Sequence, residues 1–256
     1  MLVTLREDSQ IVAGTYVHEQ PDVVSGWHHH DLHQLEYAAT GVAEVETEGW
    51  RFLLPPRQAI WIPAGLRHDT TLEDVRSIAV FFSAAMVSGF DDRARVIAVS
   101  PLLREMMSYA TRWPIGRATS DEAADAFFRA LAVVITDELH DETPLRLPTS
   151  TDPVVHEAMA ATRRDLTADV ATVCAAVGTS PRTLRRRFRQ SAGISWDDYR
   201  RTARLLRATA QLGYPDATVA RVAVDVGFES VASFSRAFRA AYGESPSAYR
   251  WRVRDE

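Results

Sequence analysis

One stretch of this chain occurs twice. Val177-Gly178 returns as Val226-Gly227, 49 residues later. Ser180, Leu184, Arg186, Phe188, Gly193, Tyr199 and Arg200 then return in kind as Ser230, Phe234, Arg236, Phe238, Gly243, Tyr249 and Arg250, each 50 later. The added residue falls just after the glycine. An internal repeat exposes the architectural unit of a chain. Here the unit is a short helix, a glycine turn and a second helix with arginine on its outer face. Two such units on a stiff spacer suit two neighbouring major grooves of a DNA duplex.

The first copy shows how the unit is built. Val170, Val173, Cys174 and Val177 supply the apolar side of a short helix, and Gly178 is the residue able to close it in a left-handed turn. Ser180 is a good N-cap, and Pro181 sits at the favoured first position of a helix predicted over about 181–190. Leu184 and Phe188 face inward. At about 100° per residue, Arg182 and Arg186 fall nearly opposite Leu184, with Arg189 beside them. In the second copy Thr218 caps a helix carrying Val219, Val222, Ala223 and Val226, and Gly227 is the turn. Ser230 caps the next helix, with Phe234 and Phe238 inward and Ala232, Arg236 and Arg239 outward. A spacer helix over 196–212 would span roughly 25 Å, the order needed to hold recognition helices about one DNA turn apart. Arg187, nearer the core side, reads as an ion pair or phosphate contact. Arg200 and Arg250 are expected to pair with Asp or Glu.

Charge is divided in the same way. Residues 1–152 hold 12 Arg against 23 Asp and Glu, a net −11; residues 153–256 hold 17 Arg against 11, a net +6. A basic C-terminal part on a chain of net charge −5 is the footprint of a polyanion-binding module. Cys174 is the only cysteine, which excludes an internal disulfide and points to the reducing cytoplasm. No apolar run reaches the roughly 18 residues of a membrane helix, so no membrane partner is expected. Residues 1–10 lack the pattern of a signal peptide.

The remainder is organised differently. Residues 1–99 are expected to form a β domain: short β-branched or aromatic segments at 34–38, 43–47, 51–54, 59–62 and 77–82 are punctuated by Gly41, Gly49, Pro55-Pro56 and Pro63-Ala64-Gly65. Residues 100–140 read as a helical hairpin. Its stripes are Leu102, Leu103, Met106, Met107 and Ala110, then Ala124, Phe127, Phe128, Leu131, Val134, Ile135 and Leu139. The hairpin packs on its own barrel, forms a dimer interface, or does both. Residues 141–153, with three prolines, read as a linker, and 154–256 as an all-helical DNA-binding domain.

Two resemblances follow from these residues. The run Val219-Ala220, Val222-Ala223, Val226-Gly227-Phe228, Ser233 to Arg239, Tyr242 to Pro246 and Tyr249-Arg250, with Ser180 to Phe188 before it, resembles the AraC/XylS-type DNA-binding domain. That resemblance implies two helix-turn-helix units and base contacts from Arg182, Arg185 and Arg186 in the first and Val231, Ala232, Ser233, Ser235 and Arg236 in the second. The second set is less polar, so Arg236 is expected to carry most of its direct readout. In the first half of the chain, Trp27-His28-His29-His30-Asp31-Leu32-His33-Gln34-Leu35-Glu36 and Pro63-Ala64-Gly65-Leu66-Arg67-His68 resemble the two motifs of a cupin barrel. His28 and His30 point to one side of a strand, and with His68 they make the minimum of a three-ligand metal site. The slot that holds glutamate in cupins holds Gln34 here, and Glu36 lies two further on.

The expected architecture is therefore α+β and multidomain: a cupin-like β-barrel with a helical hairpin, then two helix-turn-helix units. Three readings of the barrel stay open: a divalent transition metal held by His28, His30 and His68 with Gln34 or Glu36, a metal-free small-molecule pocket, or a set of satisfied histidines. His29 and His33 are expected on the alternate face. For the whole chain the leading expectation is a homodimeric regulator that binds promoter DNA in response to a small-molecule or metal effector. A cupin-type metal enzyme with a helical appendage, and a constitutive architectural DNA binder, are the alternatives.

Overall fold

The computed structural model describes residues 1–6, 10–18, 22–73, 76–89 and 91–255. The parts of the N-terminal stretch and of the expected β region at 7–9, 19–21, 74 and 75 lie outside them. The described chain divides into two compact units, 1–47 with 54–144 and 48–53 with 145–256.

The first unit has one sheet in the order β1 (Ala13–His18), β8 (Ser77–Ser83), β3 (Leu32–Ala38), β6 (Gln58–Ile62) and β9 (Arg95–Ala98), with every pair antiparallel. In a facing sheet β7 (His68–Glu73) runs between β4 (Val42–Thr47) and β2 (Asp22–Val24). Strand periodicity assigns the faces. Leu35 and Tyr37 of β3, Ile78, Val80 and Phe82 of β8, and Trp61 of β6 turn outward from the barrel and pack against α1 (Pro101–Ala110) and α2 (Glu122–Glu138) through Leu103, Met107, Phe128, Leu131 and Ile135. Their alternate neighbours Gln34, Glu36 and Phe81 turn inward. Strand β3 is buried along nearly all its length because both of its faces are covered.

Both helices of the hairpin start on side-chain caps. Ser100 accepts from Leu103 N, and Asp121 accepts from Ala123 N and Ala124 N. The hairpin packs on its own barrel, the first of the expected arrangements. One stripe residue departs from expectation: Leu102 faces solvent, with Tyr109 and Val133 also outside.

In the second unit residues 50–52 of β5 (Trp50–Leu54) pair antiparallel with β10 (Arg146–Pro148). The expected linker at 141–153 thus contains a strand. Thr143 N also donates to Val96 O in the first unit, and Thr149 N to Gly49 O in the second. The prolines that suggested a linker sit at strand edges and at the start of a helix, positions where a missing N–H costs little. Then come α3 (Pro153–Arg164), α4 (Val170–Ala176), α5 (Pro181–Ala192), α6 (Trp196–Leu212), α7 (Val219–Asp225), α8 (Val231–Tyr242) and α9 (Pro246–Asp255). Helices α4 and α5 form one helix-turn-helix, and α7 and α8 the other. Gly178 and Gly227 take positive φ of 63° and 84° at the two turns. Helix α6 separates the units and supplies Leu205, Ala208 and Leu212 to the core around Phe234 and Phe238. Among the described residues no helix is long and apolar enough to cross a membrane.

Candidate functional site

Three histidines converge between the sheets of the first unit. His28 precedes β3, and its backbone N–H and carbonyl exchange hydrogen bonds of 2.9 Å with those of His68, the first residue of β7. His30 is held by the turn after β6, where Gly65, at φ 80°, donates its N–H to His30 O over 2.8 Å. The sequence placed His28 and His30 on one strand. In the structure β3 begins only at Leu32, yet both rings reach the same cluster, 6.0 Å apart between centroids, with the ring of His68 at 4.3 Å from His28 and 5.2 Å from His30.

Each ring is oriented by a backbone carbonyl. His28 Nδ1 lies 2.8 Å from Gly26 O, His30 Nδ1 2.7 Å from Leu32 O and His68 Nδ1 2.9 Å from Leu66 O. A carbonyl only accepts, so each Nδ1 carries the proton and each Nε2 presents a lone pair. His68 Nε2 is buried with no hydrogen-bond partner. Burial pushes the His68 pKa down to about 4 and that of His30 below its ordinary value, so both rings stay neutral at neutral pH.

Gln34 and Glu36 continue this cluster inward. Both ends of the Gln34 amide are engaged, one 2.8 Å from His30 Nε2 and the other 2.8 Å from Glu36 Oε2. Burial raises the Glu36 carboxyl above its ordinary range. His30 Nε2 can only accept, so the contact is satisfied when the Gln34 amide is turned over. Its NH2 then donates to His30 Nε2 and its carbonyl faces the Glu36 carboxyl, where burial favours the protonated, donating form. Glu36 therefore acts on the cluster through Gln34 rather than beside the three rings. A cavity of about 170 Å³ opens beside them, lined on its polar side by His18, His28, His30, Gln34 and Glu36 and on its apolar side by Tyr16, Val23, Leu72 and Phe81. Tyr16 and His18 belong to β1, which the sequence reading left unassigned; only their alternation on that strand could have marked them. His33 is on the other face, stacked on Trp61 and accepting from Ala64 N, which is a structural role.

A metal ion is chemically compatible with this donor set. The ligand atoms of His28, His30 and His68 lie within 4.8 Å of one another. Imidazole nitrogens with their second nitrogen tied to a carbonyl are the usual environment of a transition-metal site. Donors around a tetrahedral ion with bonds of about 2.1 Å stand roughly 3.4 Å apart, so the rings have to close inward. The half-exposed His28 has room to do so.

The second surface is the outer face of the repeat. On α5, Arg182, Arg185, Arg186 and Arg189 are exposed while Leu184 and Phe188 are buried. On α8, Val231, Ala232, Arg236 and Arg239 are exposed while Phe234 and Phe238 are buried. Ser233 and Ser235 are half-buried. The Ser233 hydroxyl already donates to Ser230 O over 2.8 Å, so the helix cap occupies it. The side chains of Arg182, Arg186, Arg189, Arg236 and Arg239 have no hydrogen-bond or ion-pair partner among the described residues. Arg185 stands 4.0 Å from Asp197, and Arg187 pairs with Asp152 at 3.5 Å. Arg200 and Arg250 were expected to meet carboxylates. Instead Arg200 donates to Thr167 O at 2.9 Å and Arg250 to Pro215 O at 3.5 Å. Each tethers a loop that enters a helix-turn-helix, a role that sequence spacing does not reveal.

Residues 12–147 match the family model of the AraC-like ligand-binding domain, and residues 173–252 match that of a helix-turn-helix domain. The HTH-type transcriptional regulator NimR of Escherichia coli is 26% identical over 238 residues, 89% of this chain and 83% of that protein. The HTH-type transcriptional activator RhaR of Pectobacterium atrosepticum is 45% identical over 73 residues, 28% of this chain and 26% of that protein. Among solved structures, an AraC-type regulator from Chromobacterium violaceum aligns with 40% of this chain and 94% of its own at 25% identity and a TM-score of 0.38. ToxT from Vibrio cholerae aligns with 94% of this chain and 98% of its own at 14% identity and a TM-score of 0.39. With the family's ligand-binding domain across more than half of its length and the helix-turn-helix pair after it, this chain belongs to the AraC-type transcriptional regulators.

Proposed function

We propose that this regulator is controlled by an effector held between the barrel sheets at His28, His30 and His68, and that the effector is a divalent transition metal ion. The observation that carries this reading is the set of three imidazoles whose Nδ1 atoms are all tied to carbonyls, with the Nε2 lone pair of His68 buried and unpartnered and that of His30 held by the Gln34 amide, which a bound ion would displace. Gln34 orients His30, and Glu36 orients Gln34. Bound there, an ion supplies positive charge that ties the segment before β3 to the start of β7. Occupancy then changes the affinity of the full chain for promoter DNA by favouring one of two arrangements. DNA is engaged by Arg182, Arg185, Arg186 and Arg189 of α5 and by Ser235, Arg236 and Arg239 of α8. A homodimer through the solvent side of the α1–α2 hairpin completes the reading, because Leu102, Tyr109 and Val133 lie exposed there. The relatives are transcriptional regulators, which favours this function over a cupin-type enzyme.

The test is elemental analysis of the purified chain with operator binding measured against added zinc, nickel, cobalt and manganese. One metal per chain, lost in His68→Ala and His30→Ala, together with a change in operator affinity, is the expected result. A chain that retains no metal, and whose DNA affinity ignores all four ions, refutes the metal reading. A second reading then stands on the apolar half of the 170 Å³ cavity: a small organic effector that sits on Tyr16, Val23, Leu72 and Phe81 and is hydrogen-bonded by the histidines.

A further inference from the structure

We propose that the two recognition helices read different base chemistry, α5 through guanidinium groups and α8 through the methyl groups of Val231 and Ala232 set against thymine methyls in the major groove. The inference rests on the DNA-binding reading above. The two helices bury the same positions, so the positions they expose can be compared one by one. Pro181 and Arg182 of α5 correspond to Val231 and Ala232 of α8, and Arg185 corresponds to Ser235. The first turn of α5 thus offers charge where the first turn of α8 offers only hydrocarbon. Val231 is 42% exposed, and neither it nor Ala232 contributes to a core cluster. A β-branched residue gains nothing from helix propensity, so local structure does not account for valine at that site.

The N-terminal residues of a recognition helix are those that approach base edges. In the major groove thymine alone offers an apolar group, its C5 methyl, while paired acceptors on guanine suit arginine. Val231 and Ala232 cannot donate a hydrogen bond through their side chains. Ser233 beside them is committed to the cap. Beyond the half-buried Ser235, the first long polar side chain along that face is Arg236, one turn on. The predicted operator therefore carries guanine in the half facing α5, and thymine next to a single guanine in the half facing α8.

The experiment selects a duplex from a random pool with the full-length chain, then replaces each thymine singly with uracil, which removes only the methyl. Uracil at one or two positions in the half that α8 faces should weaken binding about fourfold per methyl, the value of one buried hydrocarbon group. Uracil elsewhere should leave affinity unchanged. The double variant Val231→Ser with Ala232→Ser, which removes the side-chain methyl groups of that turn, should bind the thymine and uracil duplexes equally, while Arg182→Ala should keep the uracil penalty. Indifference to uracil at every position, or a penalty that survives in the double variant, overturns the proposal and leaves the regulator reading intact. A pool from which no sequence is enriched overturns both.

Discussion

Helices α5 and α8 bury the same positions with the same kinds of side chain. Leu184 and Phe188 in one stand where Phe234 and Phe238 stand in the other. Phe188 meets Tyr199 edge-on at 5.6 Å and 61°, and Phe238 meets Tyr249 at 5.4 Å and 71°. Ser180 and Ser230 cap their first turns, and Gly193 and Gly243 end them with φ of 72° and 76°. Outward, the likeness stops. Helix α5 carries five arginines (Arg182, Arg185, Arg186, Arg187 and Arg189), and α8 carries two (Arg236 and Arg239). Packing density constrains the inner face, since a changed volume there is felt by every neighbour. No such constraint acts on the outer face, so the difference between the copies is a record of what each one meets in solution.

The inner likeness is tested by the largest effect. Phe188→Ala and Phe238→Ala should each destabilise the second unit by about 3–5 kcal/mol in chemical denaturation, since each removes a fully buried ring from an aromatic cluster. A cost below about 1 kcal/mol in one of them would show that the two cores are not equivalent. The outer difference is tested next. Arg186→Ala and Arg236→Ala occupy matching positions and should each cost about 1–3 kcal/mol of operator affinity and relax one base position. Uniform weakening on all sequences would assign that arginine to phosphate. If Arg236→Ala costs nothing while Arg186→Ala does, the second unit makes no guanidinium contact to a base.

The repeat was legible because its parts answer to local rules. A cap residue, a turn glycine and apolar residues at helical spacing fixed α6 to Trp196–Leu212 as expected, and α5 extends only two residues past its expected end at 190. The barrel was less legible. Strand β7 does not stand out in the sequence because its residues His68-Asp69-Thr70-Thr71 look polar; inward, Thr70 lines the cavity beside the histidines rather than a packed core. Strands β2 and β10 are three residues each, too short to show a period. The histidine cluster was found from its two motifs, but the order of Gln34 and Glu36 was not. Spacing alone cannot say that one amide stands between a ring and a buried acid. The tethers from Arg200 and Arg250 escaped for a similar reason, as their partners are backbone carbonyls and a sequence carries no sign of which carbonyl is free.

The turn glycines separate the copies by a smaller amount. A methyl group at Gly178 meets nothing within 4 Å, whereas at Gly227 it would fall 2.7 Å from an Arg204 guanidinium nitrogen and 3.1 Å from Leu166 O. Both carry positive φ, so Gly178→Ala should cost about 1–2 kcal/mol from backbone strain alone. Gly227→Ala should cost more than Gly178→Ala, because Arg204, which donates to Leu166 O at 2.8 Å, has to give way. Equal melting temperatures for the two variants would show that Arg204 moves freely and that the second turn is no tighter than the first.

The caps give the smallest and most symmetrical test. Ser180 Oγ accepts from Thr183 N at 3.3 Å, and Ser230 Oγ from Ser233 N at 3.1 Å. Removing either hydroxyl leaves one exposed N–H to water, so Ser180→Ala and Ser230→Ala should each cost about 1 kcal/mol in denaturation. Their effects on DNA binding should differ even so. Ser233 holds its hydroxyl on Ser230 O and stands beside Ala232, so loosening that turn disturbs a surface that reads by shape. The first turn of α5 presents Arg182, a long side chain that can follow its target as the turn moves. Ser230→Ala should therefore lower operator affinity more than Ser180→Ala at equal loss of stability. The reverse order would place the more exacting contact on α5.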